Sequence, residues 1–316
     1  MMSKKKLRVG VVGVGHLGSR HAQIYAAMPG VTLAAVCDTD AKRARQTAEA
    51  LHCDALTDHR QLAGRVDAVS LATPTSIHGA IGLDLLQRGM HVLIEKPITS
   101  TLAEADALIR EARRKRLTLQ VGHVERFNAA LAAARRYLTH PRFIEVHRLS
   151  PYPYRGTDVS VVLDLMIHDL DLLLMLVPSR LLRLEALGVP VISPSEDIAN
   201  ARLRFASGCI ADLTASRISD ESVRRFRVFQ EDSYLSIDSK TQSVEFARRI
   251  GRAVRRVNLP VNKRQPLQEE LASFIRAIRT GRRPVVSGED GRAALALALR
   301  LEQAMRVARR AWHPSR

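Results

Sequence analysis

A carboxylate and an imidazole spaced for proton transfer stand near the middle of this 316-residue chain. Asp164 and His168 are an i, i+4 pair, so on a helix they share one face. A carboxylate beside an imidazole fixes the ring's tautomer and favours its protonated form. Asp171 continues that face, while Val161, Leu165, Leu172 and Leu176 supply apolar surface. Two other readings of these residues stay open: a paired core histidine, or a metal site. A metal would want a third ligand at helical spacing beyond Asp171, and the sequence offers none, so no metal is expected.

A lysine is the next candidate. Glu95-Lys96-Pro97 lies at the carboxyl end of an apolar strand, and ligands in open α/β sheets bind beyond such ends. Thr73-Pro74 ends the preceding strand on the same rim, with His78 close behind it. A lysine there can carry a proton or steady an alkoxide. From position alone, a surface lysine before a rigid turn is an equal reading.

The cofactor suited to such chemistry is signalled by Gly13-Val14-Gly15-His16-Leu17-Gly18, a G-x-G-x-x-G. The pattern follows an apolar strand and opens a helix, and Asp38 closes the next strand about 20 residues on, as the dinucleotide fingerprint requires. Gly13 permits the tight turn, Gly15 lets a pyrophosphate approach the backbone, and Gly18 lets helix and strand pack closely. The helix N-terminus adds N–H donors and a favourable dipole. Asp38 is placed to accept from a ribose 2′-OH and to repel a 2′-phosphate; Thr39 beside it is not basic. NAD is therefore expected over NADP, with Arg43 pulling the other way. The expected cofactor contacts are Gly13, Gly15, His16, Leu17, Gly18, Asp38, Thr73, Pro74, His78, Glu95 and Lys96. A glycine turn with no ligand is the alternative.

Alternating elements must position these residues. Strands are predicted at Leu7–Val12, Val31–Cys37, Cys53–Leu56, Val66–Ala72, His91–Ile94 and Leu117–Val121. Helices lie between them: Ser19–Met28, Asp40-capped to about Leu51, Ser76–Arg88, and Thr101–Lys115 with Thr101 and Glu104 as a capping box. Strands alternating with helices indicate a doubly wound parallel sheet, a Rossmann fold of the α/β class. After Gly122 the pattern changes. Strands follow one another at Phe143–Leu149, Leu181–Val189, Ala199–Phe205, Cys209–Ala215, Phe226–Gln230 and Tyr234–Ile237, with one helix, Val161–Val177, among them. This predicts an α+β domain with a mainly antiparallel sheet. Helices Leu267–Arg279 and Glu289–Arg310 end the chain. The expected division is 1–122 for the dinucleotide domain and 123–316 for the substrate domain, the final helix packing back on the first.

Composition narrows the partners. Hydrophobic residues are 46% and charged residues 26%, an ordinary globular balance. The Val159–Val177 stretch carries Asp164, His168, Asp169 and Asp171, which argues against a membrane helix. The three cysteines, Cys37, Cys53 and Cys209, form no C-x-x-C pair, which suits a reducing cytoplasmic setting. The net charge is +17, and only eight of the 49 basic residues are lysines. The arginines are scattered rather than gathered in one stripe, and aromatic residues are only 4%, too few for stacking platforms. Solvated helix faces and an anionic small molecule are expected, not nucleic acid or membrane.

Taken together, Gly13-x-Gly15-x-x-Gly18, Asp38, Glu95-Lys96-Pro97 and Asp164-x-x-x-His168 resemble the Gfo/Idh/MocA oxidoreductase family along the whole chain. The resemblance implies a Rossmann domain followed by an open-faced sheet domain whose far face makes oligomer contacts, hence a homodimer or homotetramer. It implies a catalytic group of Lys96, Asp164 and His168, and a cis Lys96–Pro97 bond. The stretch Gly122-His123-Val124-Glu125-Arg126-Phe127-Asn128, with Asp164 to Asp169, is similar to the branch acting at C3 of UDP-N-acetyl-hexosamines, which supplies amino sugars for lipid A. That branch often has proline after Phe-Asn, where this chain has Ala129. The resemblance makes His123, Glu125, Arg126, Asn128, Arg148, Tyr154 and His168 the expected substrate contacts, with Tyr152 and Arg155 nearby. An inositol or other polyol dehydrogenase, a tetrapyrrole reductase, and a non-catalytic NAD sensor are the rival functions; a sensor would show an eroded catalytic set.

Overall fold

A computed structural model describes residues 6–152 and 159–312. Two compact units divide the chain. The first holds residues up to Val124 together with Leu267–Arg292, and the second holds Glu125–Pro266 together with residues from Ala293 onward. The segment Leu267–Arg292 thus lies with the first unit, not in an unbroken 123–316 block.

In the first unit β1 (Leu7–Val12), α1 (His16–Ala27), β2 (Val31–Cys37), α2 (Ala41–Leu51), β3 (Asp54–Leu56) and β4 (Ala68–Leu71) follow one another. Then come α3 (His78–Gln87), β5 (His91–Glu95), α4 (Leu102–Lys115) and β6 (Leu119–Gly122). The strands form one parallel sheet in the order β3-β2-β1-β4-β5-β6, the doubly wound arrangement. Central strands are buried on both faces: β4 has no exposed residue, which is why it reads as a continuous apolar run. Asp40 caps α2 by accepting from the Lys42 and Arg43 amides, and Thr101 with Glu104 forms the capping box of α4. Helix α1 starts at His16, inside the glycine motif, three residues before the Ser19 start expected from the sequence.

In the second unit α5 (Ala129–Ala134) precedes β7 (Phe143–Leu149), α6 (Ile167–Leu176), β8 (Leu181–Val189), β9 (Ile198–Phe205) and β10 (Ile210–Ser216). Strands β11 (Val223–Phe229), β12 (Ser233–Asp238), β13 (Ser243–Ile250) and β14 (Ala253–Asn258) complete its sheet. The order is β14-β13-β12-β11-β7-β10-β9-β8, antiparallel except for the β7–β10 pair. Strict alternation in β9 puts Ala199, Ala201, Leu203 and Phe205 into a core shared with Ile167, Leu170 and Leu173 of α6. After α7 (Pro266–Thr280) of the first unit, α8 (Gly288–Trp312) begins in the first unit and continues into the second. There Ala294, Leu297, Ala298 and Leu301 join the second core.

Three elements escaped the sequence reading. Helix α5 is a short alanine run, and β13 and β14 are arginine-rich. Every residue of β14 is exposed, so no hydrophobic alternation marks it. The expected helix at Val161–Val177 opens instead with a π-helical turn, Val162–Met166, before α6. No helix among the described residues is long and apolar enough to cross a membrane.

Candidate active site

The glycine turn after β1 forms one wall of a groove of about 470 Å³ at the carboxyl ends of β1, β2 and β4. Gly13, Gly15, Asp38, Arg43, Thr73 and Pro74 line it. Gly13 has φ +82°, and a Cβ there would lie 2.7 Å from the Ala72 carbonyl oxygen. A Cβ on Gly18 would collide with the Gly13 carbonyl oxygen, so this glycine lets the helix close onto its own turn. Gly15 faces open space. Asp38 is 8% exposed, yet its Oδ2 accepts from the Val14 amide at 2.9 Å and its Oδ1 from the Asp40 amide at 2.9 Å. Arg43 donates to Asp38 at 3.3 Å and lies 3.3 Å from Asp40, so the basic residue that argued for NADP is held by two carboxylates. A backbone-lined turn with open space above Gly15 and a fixed carboxylate beside it fits a dinucleotide. His16 is exposed, with its ring 3.2 Å from Arg20, and Leu17 is half-buried; neither lines the groove.

Glu95 ends β5 and is buried. Its Oε2 accepts the Lys96 amide at 3.2 Å, and its Oε1 lies 3.2 Å from His21 Nε2. Burial works to raise the Glu95 pKa, but His21 and the Lys96 charge outweigh it and hold the carboxyl below its ordinary range. The Lys96–Pro97 bond is cis. His78 is 1% exposed, with Nε2 2.9 Å from the Thr73 carbonyl and Nδ1 3.0 Å from that of Pro97. It ties the two rim loops together, and its ring nitrogens face backbone rather than a ligand. Burial lowers its pKa against the pull of those carbonyls.

In the second unit, Asp164 and His168 are half-buried on the π turn and on the first turn of α6. A π turn widens the helix locally and recurs at functional sites. Asp171 does not extend that pair: it is 1% exposed and takes a bidentate contact from Arg126 at 2.7 and 2.6 Å.

The expected substrate contacts next to Arg126 are turned inward too. Arg148 is 5% exposed and donates to both oxygens of Asp169, at 2.7 and 2.8 Å, and to Glu125 at 3.0 Å. Burial opposes the Arg148 charge, but the two carboxylates outweigh it and raise its pKa. Burial also pushes the Asp169 carboxyl up; the short bidentate geometry belongs to an ionised pair, and we read it as charged. Asn128 caps α5 through its Oδ1 and donates to the Ser239 carbonyl at 2.9 Å. Glu125 and His123 are buried, His123 completely. Arg126 pairs with Asp171, and Arg148 with Asp169 and Glu125, so these buried charges compensate one another. Tyr154 and Arg155 lie outside the described residues. Tyr152 lies within them, its hydroxyl 2.8 Å from Ser193 Oγ.

A larger groove, about 710 Å³, opens where β5 and β6 begin, lined by Arg113, Arg116, Arg282 and Arg283. It sits at the wrong ends of the strands for a dinucleotide. Among the described residues no three His, Cys, Asp or Glu side chains gather as a metal site. His21 was missed by the sequence reading. Its only signal there is a histidine on the inward face of α1.

Residues 7–123 match the oxidoreductase family with an NAD-binding Rossmann fold, and residues 109–236 match the GFO/IDH/MocA C-terminal domain. The chain is 40% identical over 306 residues to UDP-N-acetylglucosamine 3-dehydrogenase of Acidithiobacillus ferrooxidans, across 95% of this chain and 97% of the relative. A solved structure of a UDP-N-acetylglucosamine 3-dehydrogenase from that organism, also 40% identical, superposes with a TM-score of 0.90 over 94% of this chain and 97% of its own. Myo-inositol 2-dehydrogenase of Thermotoga maritima is 27% identical over 313 residues, 92% of this chain and 94% of the relative.

Proposed function

The chain belongs to the Gfo/Idh/MocA family of NAD-binding oxidoreductases, and from that premise we propose that it oxidises the C3 hydroxyl of a UDP-N-acetyl-hexosamine with NAD. What carries the reading is the full-length likeness to a nucleotide-sugar dehydrogenase in a chain that has Lys96, Asp164 and His168 together. A non-catalytic sensor would have no use for that set. The net charge of +17 suits a diphosphate substrate.

A bound nicotinamide supplies the hydride acceptor. The amides of the glycine turn and the N-terminus of α1 would hold the dinucleotide's pyrophosphate, and Asp38 would hold the adenosine ribose. His168, oriented by Asp164, takes the proton of the sugar hydroxyl. Lys96 hydrogen-bonds the same oxygen and stabilises the negative charge that develops there. We read the protein as a cytoplasmic homodimer or homotetramer that supplies amino sugars for lipid A.

The test is NADH formation at 340 nm with a panel of nucleotide sugars and polyols. UDP-N-acetylglucosamine is expected to be oxidised fastest. Lys96→Ala is expected to lower kcat by about 10²–10⁴-fold while NAD binding persists. Oxidation of myo-inositol with no nucleotide sugar turned over would overturn the substrate; NAD binding without any reduction would overturn the activity.

A further inference from the structure

We propose that His21, acting through Glu95, is a positioning residue for Lys96. The inference deepens the reading above, since it rests on Lys96 being the residue that acts on the sugar oxygen.

Four buried side chains run in a row through the first unit. Tyr25 of α1 places its hydroxyl 3.1 Å from Ser70 Oγ on β4. That same Oγ lies 3.2 Å from His21 Nδ1, and His21 Nε2 lies 3.2 Å from Glu95 Oε1. The row ends where Glu95 Oε2 accepts the Lys96 amide. His21, Tyr25 and Ser70 are fully buried. A buried carboxylate is tolerated only when partners compensate its charge. It also has little room to move: a Cβ at Gly122 on β6 would lie 2.7 Å from Glu95 Oε2.

The row joins two elements that must keep register for catalysis. Helix α1 starts directly after the glycine turn that would hold the pyrophosphate, and β5 ends directly before Lys96. The His21–Glu95 contact therefore ties the cofactor-holding helix to the lysine-bearing turn. The charged or titratable groups facing Glu95 are His21 and Tyr25 from α1, His78 from α3, and Lys96 itself; Glu270 of α7 faces Tyr25. Among these, His21 is the group from α1 that reaches a Glu95 oxygen, at 3.2 Å.

The experiment compares wild type, His21→Ala and His21→Gln in the full chain. It reads kcat and KM per titrated NAD site, and the rate at which an acylating amine reagent labels Lys96, followed by peptide mass spectrometry with exposed Lys42 as reference. A displaced lysine is expected to cost about 10²-fold in kcat with KM largely unchanged. In His21→Ala, Lys96 labelling is expected to rise severalfold while Lys42 labelling stays constant. His21→Gln keeps a polar group able to face Glu95 and is expected to restore both readouts. Wild-type kcat together with wild-type Lys96 labelling in His21→Ala would overturn the proposal. If wild type oxidises no nucleotide sugar, the substrate reading fails and the labelling still decides the positioning role. If His21→Ala does not fold, Glu95→Gln carries the test, with the same loss expected and full activity overturning it.

Discussion

Asp38 and Asp169 are both nearly buried carboxylates, yet their partners differ in kind. Asp38 receives two backbone amides and a half-exposed arginine while forming part of a groove wall. Asp169 gives both oxygens to one guanidinium, and Glu125 takes a further arm of it. Around Asp38 the backbone does the satisfying, so the carboxylate remains available to a ligand. Around Asp169 side chains do the satisfying, closing on one another. A charged residue near a site is thus read correctly only once its partners are known.

The contrast predicts where substitution hurts stability and where it hurts binding. Arg148→Met is expected to cost about 3–5 kcal/mol, because Asp169 and Glu125 stay buried without their counter-charge. Urea denaturation measures it, and an unchanged midpoint would show that Arg148 does not stabilise the fold through Asp169 and Glu125. Asp38→Ala is expected to act on the cofactor instead, weakening NAD by about 1.5–3 kcal/mol and relaxing discrimination against NADP. Titration calorimetry with both nucleotides checks this; equal affinities in the wild type would contradict the role of Asp38.

A second buried pair tests the pH side. Asp197 and Arg217 are both fully buried, 2.9 Å apart. Burial works to raise the Asp197 pKa, but the Ser193 and Ile192 amides and Arg217 hold it well below the usual carboxylate range. A depressed folded-state pKa stabilises above the unfolded value, about 3.9, and that stability is lost as pH falls through the folded value. Asp197→Asn should therefore be less stable than wild type near neutrality, with the gap closing in strong acid. Parallel melting curves at all pH values would refute it. The smallest effect belongs to the exposed Arg142–Glu231 pair, whose loss in Arg142→Ala is expected to cost about 0–1 kcal/mol.

Much of the first unit was legible in advance. The alternation of strands and helices, the Asp40 cap, the Thr101–Glu104 box and the glycine turn are local signals. The second unit was legible where β9 alternates and illegible at β14, whose exposed arginines carry no pattern. The segment from His123 to Asn128 is expected to contact substrate because it follows the first sheet and is similar to the nucleotide-sugar branch of the family. What the sequence did not reveal is how its side chains are partnered: Asn128 caps a helix and Glu125 balances Arg148.

By itself, then, the sequence determined the doubly wound sheet, the turn that suits a dinucleotide and the family set of Lys96, Asp164 and His168. Those depend on periodicity and on neighbours a few residues apart. Only the tertiary structure decided that Arg126 and Arg148 close inward on Asp171 and Asp169, and that His21 meets Glu95. These pairings join residues far apart in the chain, and what selects them is the need to compensate each charge taken out of water.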